Sequence, residues 1–254
     1  MNRKLLAATA AVAGAMSLSA CSYNEALGRN QLLLVNNSSL AAAGTQAWAQ
    51  TLSRSRVSRD PVANQRVRTV GSRIIQAAGL SGQPWEYAVF EDNTPNAFAL
   101  PGGKIGVNTG LLRLVANDDQ LAAVIGHEVA HTVANHAAER MSQQAAAQIG
   151  LGVASSALGS RVGAEQARQI ASLGSAGAQV GVLLPFSRQH ELEADRLGVD
   201  YMQRAGYDPR QAVILWETMA RQRTGSTPSF LSTHPSDANR IAALRQYLAS
   251  RGLG

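Results

Sequence analysis

Asn117-Asp118-Asp119-Gln120-Leu121-Ala122-Ala123-Val124-Ile125-Gly126-His127-Glu128-Val129-Ala130-His131 is the stretch on which the fold and chemistry of this 254-residue chain turn. Asn117, with Gln120 three positions later, sets a capping residue and a reciprocal amide ahead of an apolar run. Leu121, Val124, Ile125, Val129 and Val133 recur at helical spacing, which predicts a buried amphipathic helix of about two dozen residues. Asp118 and Asp119 suit its positive end. His127 and His131 are four positions apart, so their rings lie about 40° apart around the axis and one turn apart along it. Both can reach one ion. Glu128 points about 100° away, toward a water in the ion's open position. This is the pattern of a zinc site that activates water for amide hydrolysis. The competing reading is a core helix with two hydrogen-bonded histidines, but two imidazoles and a carboxylate buried without a partner would be costly.

An ion that keeps one position open needs a third protein ligand. His136 lies nine residues after His127, half a turn round a continuous helix, so it faces away, on the surface or behind the ligands. Ala134 also stands where the metzincin pattern needs glycine. The better candidate lies in His190-Glu191-Leu192-Glu193-Ala194-Asp195. Glu191 and Asp195 share a helical face, while Glu193 points nearly opposite. Glu191 can ligate the ion, and Asp195 can accept a hydrogen bond from the far nitrogen of a ligand histidine. Ala194 is small enough to let two helices approach. His190 is the alternative ligand.

His127-Glu128-x-x-His131 with Glu191-Leu192-Glu193-Ala194-Asp195, preceded by Leu184-Pro185-Phe186-Ser187-Arg188, resembles the gluzincins of the HtpX and CAAX-prenyl-protease type, in particular their soluble lipoprotein members. The resemblance covers about Val62 to Leu248. It implies an α+β, mainly α, zincin-like metallopeptidase domain with an active-site helix and a small sheet or hairpin bearing an edge strand. It implies one Zn2+ per chain on His127, His131 and Glu191, with Glu128 as base. Asn96-Ala97-Phe98-Ala99 looks like the family's substrate-pairing strand. His234, in Ser232-Thr233-His234-Pro235, looks like its transition-state histidine, with Arg240 following at the usual distance. The chain lacks the transmembrane helices of HtpX and stops where some members continue into helical repeats.

The other end of the chain addresses location. Arg3 and Lys4 precede an apolar stretch from Leu5 to Ala20, the pattern of a secretory signal over residues 1–20. That stretch is too short and too rich in Ala and Gly to span a bilayer. Leu18-Ser19-Ala20-Cys21 resembles a bacterial lipobox, which implies an acylated Cys21 that anchors the chain in a lipid bilayer. Ser22 resembles an outer-membrane address, with the enzyme facing the periplasm. Cys21 is the only cysteine, which excludes an intrachain disulfide. Without residues 1–20, 21 basic residues face 17 acidic ones, or +4, spread among arginines with few aromatics. No basic patch argues for nucleic acid, and the expected surface is a solvated one with a mild affinity for anionic lipid or acidic partners.

Ser22 to about Pro61 reads as a polar tether (domain segment 21–61), and residues 62–254 as one peptidase domain. Within it the patterns predict a helix over Val62–Ala78 and a strand over Glu86–Glu91. A hairpin, 96–100 and 104–108, turns at Pro101-Gly102-Gly103. Further helices are expected over Ser187–Ala205, Pro209–Arg223 and Ser236–Arg251. The small-residue stretch 142–182 reads as two helices broken near Gly159, either closely packed or a mobile cover over the cleft. The expected function is a zinc endopeptidase acting on unfolded or misfolded envelope polypeptides, with outer-membrane assembly proteins as candidate partners. The alternative is an envelope assembly or binding factor whose zinc is mainly structural.

Overall fold

A computed structural model describes residues 21–157, 186–221, 229–235 and 238–254. The described residues run through β1 (Cys21–Asn24), β2 (Arg29–Leu32), α1 (Asn37–Arg54), α2 (Pro61–Ala77), β3 (Glu86–Phe90), β4 (Ala97–Leu100) and β5 (Lys104–Asn108). They continue with α3 (Thr109–Leu114), α4 (Asp118–Val133), α5 (His136–Ala157), α6 (Arg188–Arg204), α7 (Arg210–Arg221), α8 (Ser229–Thr233) and α9 (Ala238–Ser250). The architecture is α+β and mainly helical, as the sequence implies. None of these helices is long and apolar enough to cross a membrane.

The sheet has the order β3-β5-β4, with β3 parallel and β4 antiparallel to the central β5. Pro101-Gly102-Gly103 turns the β4–β5 hairpin, and both glycines take the left-handed φ that this turn needs, 86° and 77°. The free side of β3 is covered: Val57 bridges Phe90, Ser58 N–H donates to Val89 O, and Glu91 N–H donates to Arg56 O. Among the described residues no strand covers β4, which leaves it as the edge. The sheet alternates between two cores. Ala88 and Phe90 face Trp48 of α1, while Val89 joins Ile105 and Val107 against α2 and α4.

Helix α4 runs through the centre of the larger core, and every residue from Gln120 to His131 is buried. Its apolar residues face the core on several sides, while His127, Glu128 and His131 carry polar groups inside with them. Asn117 caps it by accepting from Gln120 N–H at 2.9 Å, and the Gln120 side chain reaches back to Ala116 N–H. The helix is shorter than its apolar spacing predicts. It stops at Val133, and Asn135 takes a left-handed φ of 52° before α5 begins. Helix α6 starts at its Ser187 cap and crosses α4 backbone to backbone. Gly126 and Gly198 meet at that crossing: a Cβ on Gly198 would stand 3.0 Å from the His127 nitrogen. Ala194, also fully buried, extends the close contact.

The segment 21–61, expected as a tether, holds an antiparallel hairpin and an 18-residue helix. Trp48 anchors α1 on the sheet through edge contacts with Phe90 and Phe98. Of the small-residue stretch, 142–157 continues α5, and 158–182, including the expected break at Gly159, lies outside the described residues. The helix expected from Pro209 begins at Arg210, and the last one spans Ala238–Ser250. The short α8 has no counterpart in the sequence patterns.

Candidate metal centre and active site

Helices α4 and α6 and the residue after α8 bring four donors together: His127, His131, Glu191 and His234, all buried and within 4.8 Å of one another. His127 Nε2 lies 3.1 Å from His131 Nε2, 3.4 Å from Glu191 Oε2 and 3.2 Å from His234 Nδ1. Glu191 Oε1 lies 3.3 Å from His131 Nε2 and 3.1 Å from His234 Nδ1. Ligands about 2.0–2.1 Å from a tetrahedral ion stand about 3.3 Å apart, so these spacings suit zinc. Both motif histidines turn Nε2 inward and keep Nδ1 for other partners. With both ring protons on Nδ1, as ligation requires, the converging Nε2 lone pairs would repel without a cation among them.

Electrostatics point the same way. Burial opposes a charged His127, yet Glu191 and Asp195 beside it outweigh burial and hold its pKa up at about 9. Burial pushes His131 well below the ordinary value. Glu191 and Asp195 are depressed against their burial, chiefly by the Arg240 guanidinium.

The residues expected around the ligands fall as follows. Asp195 Oδ1 accepts from His127 Nδ1 at 2.9 Å. Arg240, fully buried, donates to both Asp195 oxygens at 2.6 and 2.7 Å and pairs with Glu191 at 2.5 Å. His190 is absent from the donor cluster; its Nε2 sits 3.3 Å from Glu139 Oε2, and burial, then His136, lowers its pKa to about 4. His136 does not join the donors and is fully buried; it stands behind His131, one of the two places expected for it, although it does not face away as the half-turn count had it. The break at Asn135 voids the count along one helix, and His136 Nδ1 lies 2.9 Å from His131 Nδ1. Glu193, expected to point away, accepts from His136 Nε2 at 3.0 Å. Arg29, Gln31 and Glu139 complete this second network and were not singled out from the sequence. The pair His136-x-x-Glu139, one turn past the motif, is the signal that could have found part of it.

Glu128 is buried beside the donors, and burial raises its pKa. Its Oε2 accepts from Ala99 N–H at 3.3 Å; its Oε1 has only an ionic contact with His234 Nε2, at 3.3 Å. A cavity of about 720 Å³ opens here, lined by Asn96, Ala97, Phe98 and Ala99 together with Glu128 and His234. Asn96 O accepts from Asn108 N–H on the sheet side, and Ala99 N–H points to Glu128. By the pleat, Ala97 and Ala99 therefore present their main-chain groups to the cavity.

Two histidines and a glutamate from two crossing helices, with an acidic base between the histidines, define the gluzincin class of metallopeptidases. Residues 61–248 match the family model of Peptidase family M48, and the chain belongs to that family of zinc metallopeptidases. It is 40% identical over 184 residues to the mitochondrial metalloendopeptidase OMA1 of Schizosaccharomyces pombe, covering 72% of this chain and 52% of the relative. The OMA1 of Saccharomyces cerevisiae is 37% identical over 177 residues, 66% of this chain and 48% of the relative. The beta-barrel assembly-enhancing protease of Escherichia coli is 32% identical over 191 residues, 73% of this chain and 39% of the relative. The chain thus spans about half or less of the length of these relatives.

Proposed function

We propose that this chain is an endopeptidase that holds one Zn2+ on His127, His131 and Glu191 and cleaves extended or unfolded polypeptides. The observation that carries the reading is Glu128: a buried acid aimed into the donor cluster, with one oxygen lacking a hydrogen bond and its pKa raised toward that of a general base. Bound zinc would lower the pKa of a water toward about 7 and polarise the scissile carbonyl. Glu128 takes the proton of the attacking water and delivers it to the leaving amine. His234, beside Glu128, would steady the charge growing on the carbonyl oxygen. Ala97 and Ala99 pair with the substrate main chain as an added strand, which selects extended segments. Asp195 and Arg240 hold His127 from behind.

We further propose that an acylated Cys21 places the enzyme in the bacterial envelope, at the outer membrane facing the periplasm. Misfolded envelope proteins would be its substrates and outer-membrane assembly proteins its partners. The likeness to a bacterial beta-barrel assembly-enhancing protease and the exposure of Cys21 support this. One observation favours a second reading. With His234 Nδ1 the cluster has four protein donors, the number found in structural zinc sites, which suits an assembly factor that cleaves slowly. Unfolded casein separates the two. Glu128→Gln should keep zinc and cleave at least about a hundredfold slower than the parent. Equal cleavage by both would overturn the mechanism, and zinc in both with cleavage by neither would favour the structural reading.

A further inference from the structure

We propose that the N-terminal hairpin β1–β2 is a working part of the metal centre, with Arg29 and His136 as positioning residues for His131. The proposal rests on the reading of His131 as a metal ligand and extends it beyond the family-matched region, which begins at residue 61.

A ligand imidazole that gives its Nε2 lone pair to an ion carries its proton on Nδ1, and that proton needs an acceptor. Asp195 serves His127. For His131 the partner is His136 Nδ1, at 2.9 Å. Once that nitrogen accepts, the His136 proton must sit on Nε2, where Glu193 Oε2 accepts it at 3.0 Å. Metal binding thus orients the whole series in one direction. Glu193 is in turn gripped by Arg29, whose Nε and Nη2 donate at 2.6 and 2.8 Å. The same guanidinium holds Glu139 through Nη1 and Nη2, at 2.7 and 2.8 Å. Only a planar fork can clasp two carboxylates this way. The guanidinium already neutralises both carboxylates.

The rest of the hairpin serves the same end. Gln31 Nε2 donates to Ala134 O at 2.7 Å and to Glu139 Oε2 at 2.6 Å, and Asn24 Nδ2 reaches Val133 O at 3.4 Å. Two carbonyls at the C-terminal end of α4 are thereby satisfied, next to the turn that aims His136. A hairpin docked only for packing would bury apolar side chains. This one contributes none to the main core, and its buried residues are Asn24 and Gln31.

The test measures zinc affinity of the full chain by chelator competition, and the rise in Tm on adding zinc, for the parent, Arg29→Ala, Arg29→Lys, His136→Ala and the double variant Arg29→Ala with His136→Ala. His136→Ala leaves the Arg29 clasp intact and guards against a simple folding defect. Both alanine variants should bind zinc about 10- to 100-fold more weakly, and the double variant should be little worse than either single one. Arg29→Lys should fall between parent and alanine. The zinc-induced rise in Tm should shrink, whereas a merely structural hairpin would lower apo and zinc-bound Tm alike. Zinc affinities within twofold of the parent in both alanine variants would overturn the relay while leaving the metallopeptidase reading intact. A parent that binds no zinc would overturn both.

Discussion

The two histidines of the motif are held by unlike means. His127 reaches a carboxylate in one bond, and that carboxylate is clasped by a guanidinium, all of it at most 3% exposed. His131 reaches its carboxylate through an interposed imidazole, and the guanidinium behind it has a side chain 22% exposed. The first clamp is short and dry, from α6 and α9 within the family-matched region. The second is longer and partly wet, closed by the hairpin outside that region. Charge pairs in a dry interior interact strongly but leave a large penalty when one partner is lost, whereas solvent relieves a wetter pair. The dry clamp should therefore be needed for the fold itself, and the wet one mainly for the grip on the metal.

The shared element gives the largest expected effect. Glu191→Ala should lose most of its zinc and all measurable cleavage, by metal analysis and casein assay; full zinc would move the third ligand elsewhere. Next, Arg240→Ala leaves Glu191 and Asp195 buried without their guanidinium and should cost about 3–5 kcal/mol in denaturant unfolding. Arg29→Ala should cost clearly less, and equal costs would break the contrast between the clamps. Asp195→Asn, which keeps the shape and removes the charge, should weaken zinc by about 10- to 100-fold in chelator competition.

Acid should expose the wet clamp. Glu139 and Glu193 have folded pKa values lowered against burial by hydrogen bonds from Arg29 and their other partners. Their contribution is complete above the unfolded carboxylate value of about 4.3 and is lost as pH falls through the lower folded values. Arg29→Ala raises those folded values, so its acid unfolding midpoint should move to higher pH; an unmoved midpoint would argue against the clasp. The smallest effect belongs to Cys21→Ser, which should leave zinc affinity unchanged although it abolishes any acylation.

The sequence made one clamp legible and hid the other. Asn117 and the apolar spacing mark the start of α4, and Glu191 and Asp195 declare a shared face by standing four apart. Fixed helical geometry does that work at short range. The half-turn count for His136 failed because one left-handed residue, Asn135, resets the helical phase, and asparagine tolerates that conformation without announcing it. Arg29 was invisible for a different reason. Four-residue strands of Cys-Ser-Tyr-Asn and Arg-Asn-Gln-Leu carry no apolar alternation, so a segment docked by hydrogen bonds reads as a solvated lead. The partners of Glu193 stand 57 and 164 residues away in the chain, where no local spacing can link them to it. The paired glycines at the helix crossing gave no periodic signal at all.

That crossing would set a mechanical tolerance for the proposed metal site. Glu191 lies seven residues before Gly198, which makes α6 a lever arm of about 10 Å from the point of contact to the ligand. A swing of only about 1° about that point would move the carboxylate by about 0.2 Å, the margin within which metal–ligand distances normally lie. With backbone lying on backbone at the pivot, no side chain can flex to absorb an added methyl group. If Glu191 holds the proposed zinc, a single carbon added two turns away at Gly198 should therefore weaken that grip.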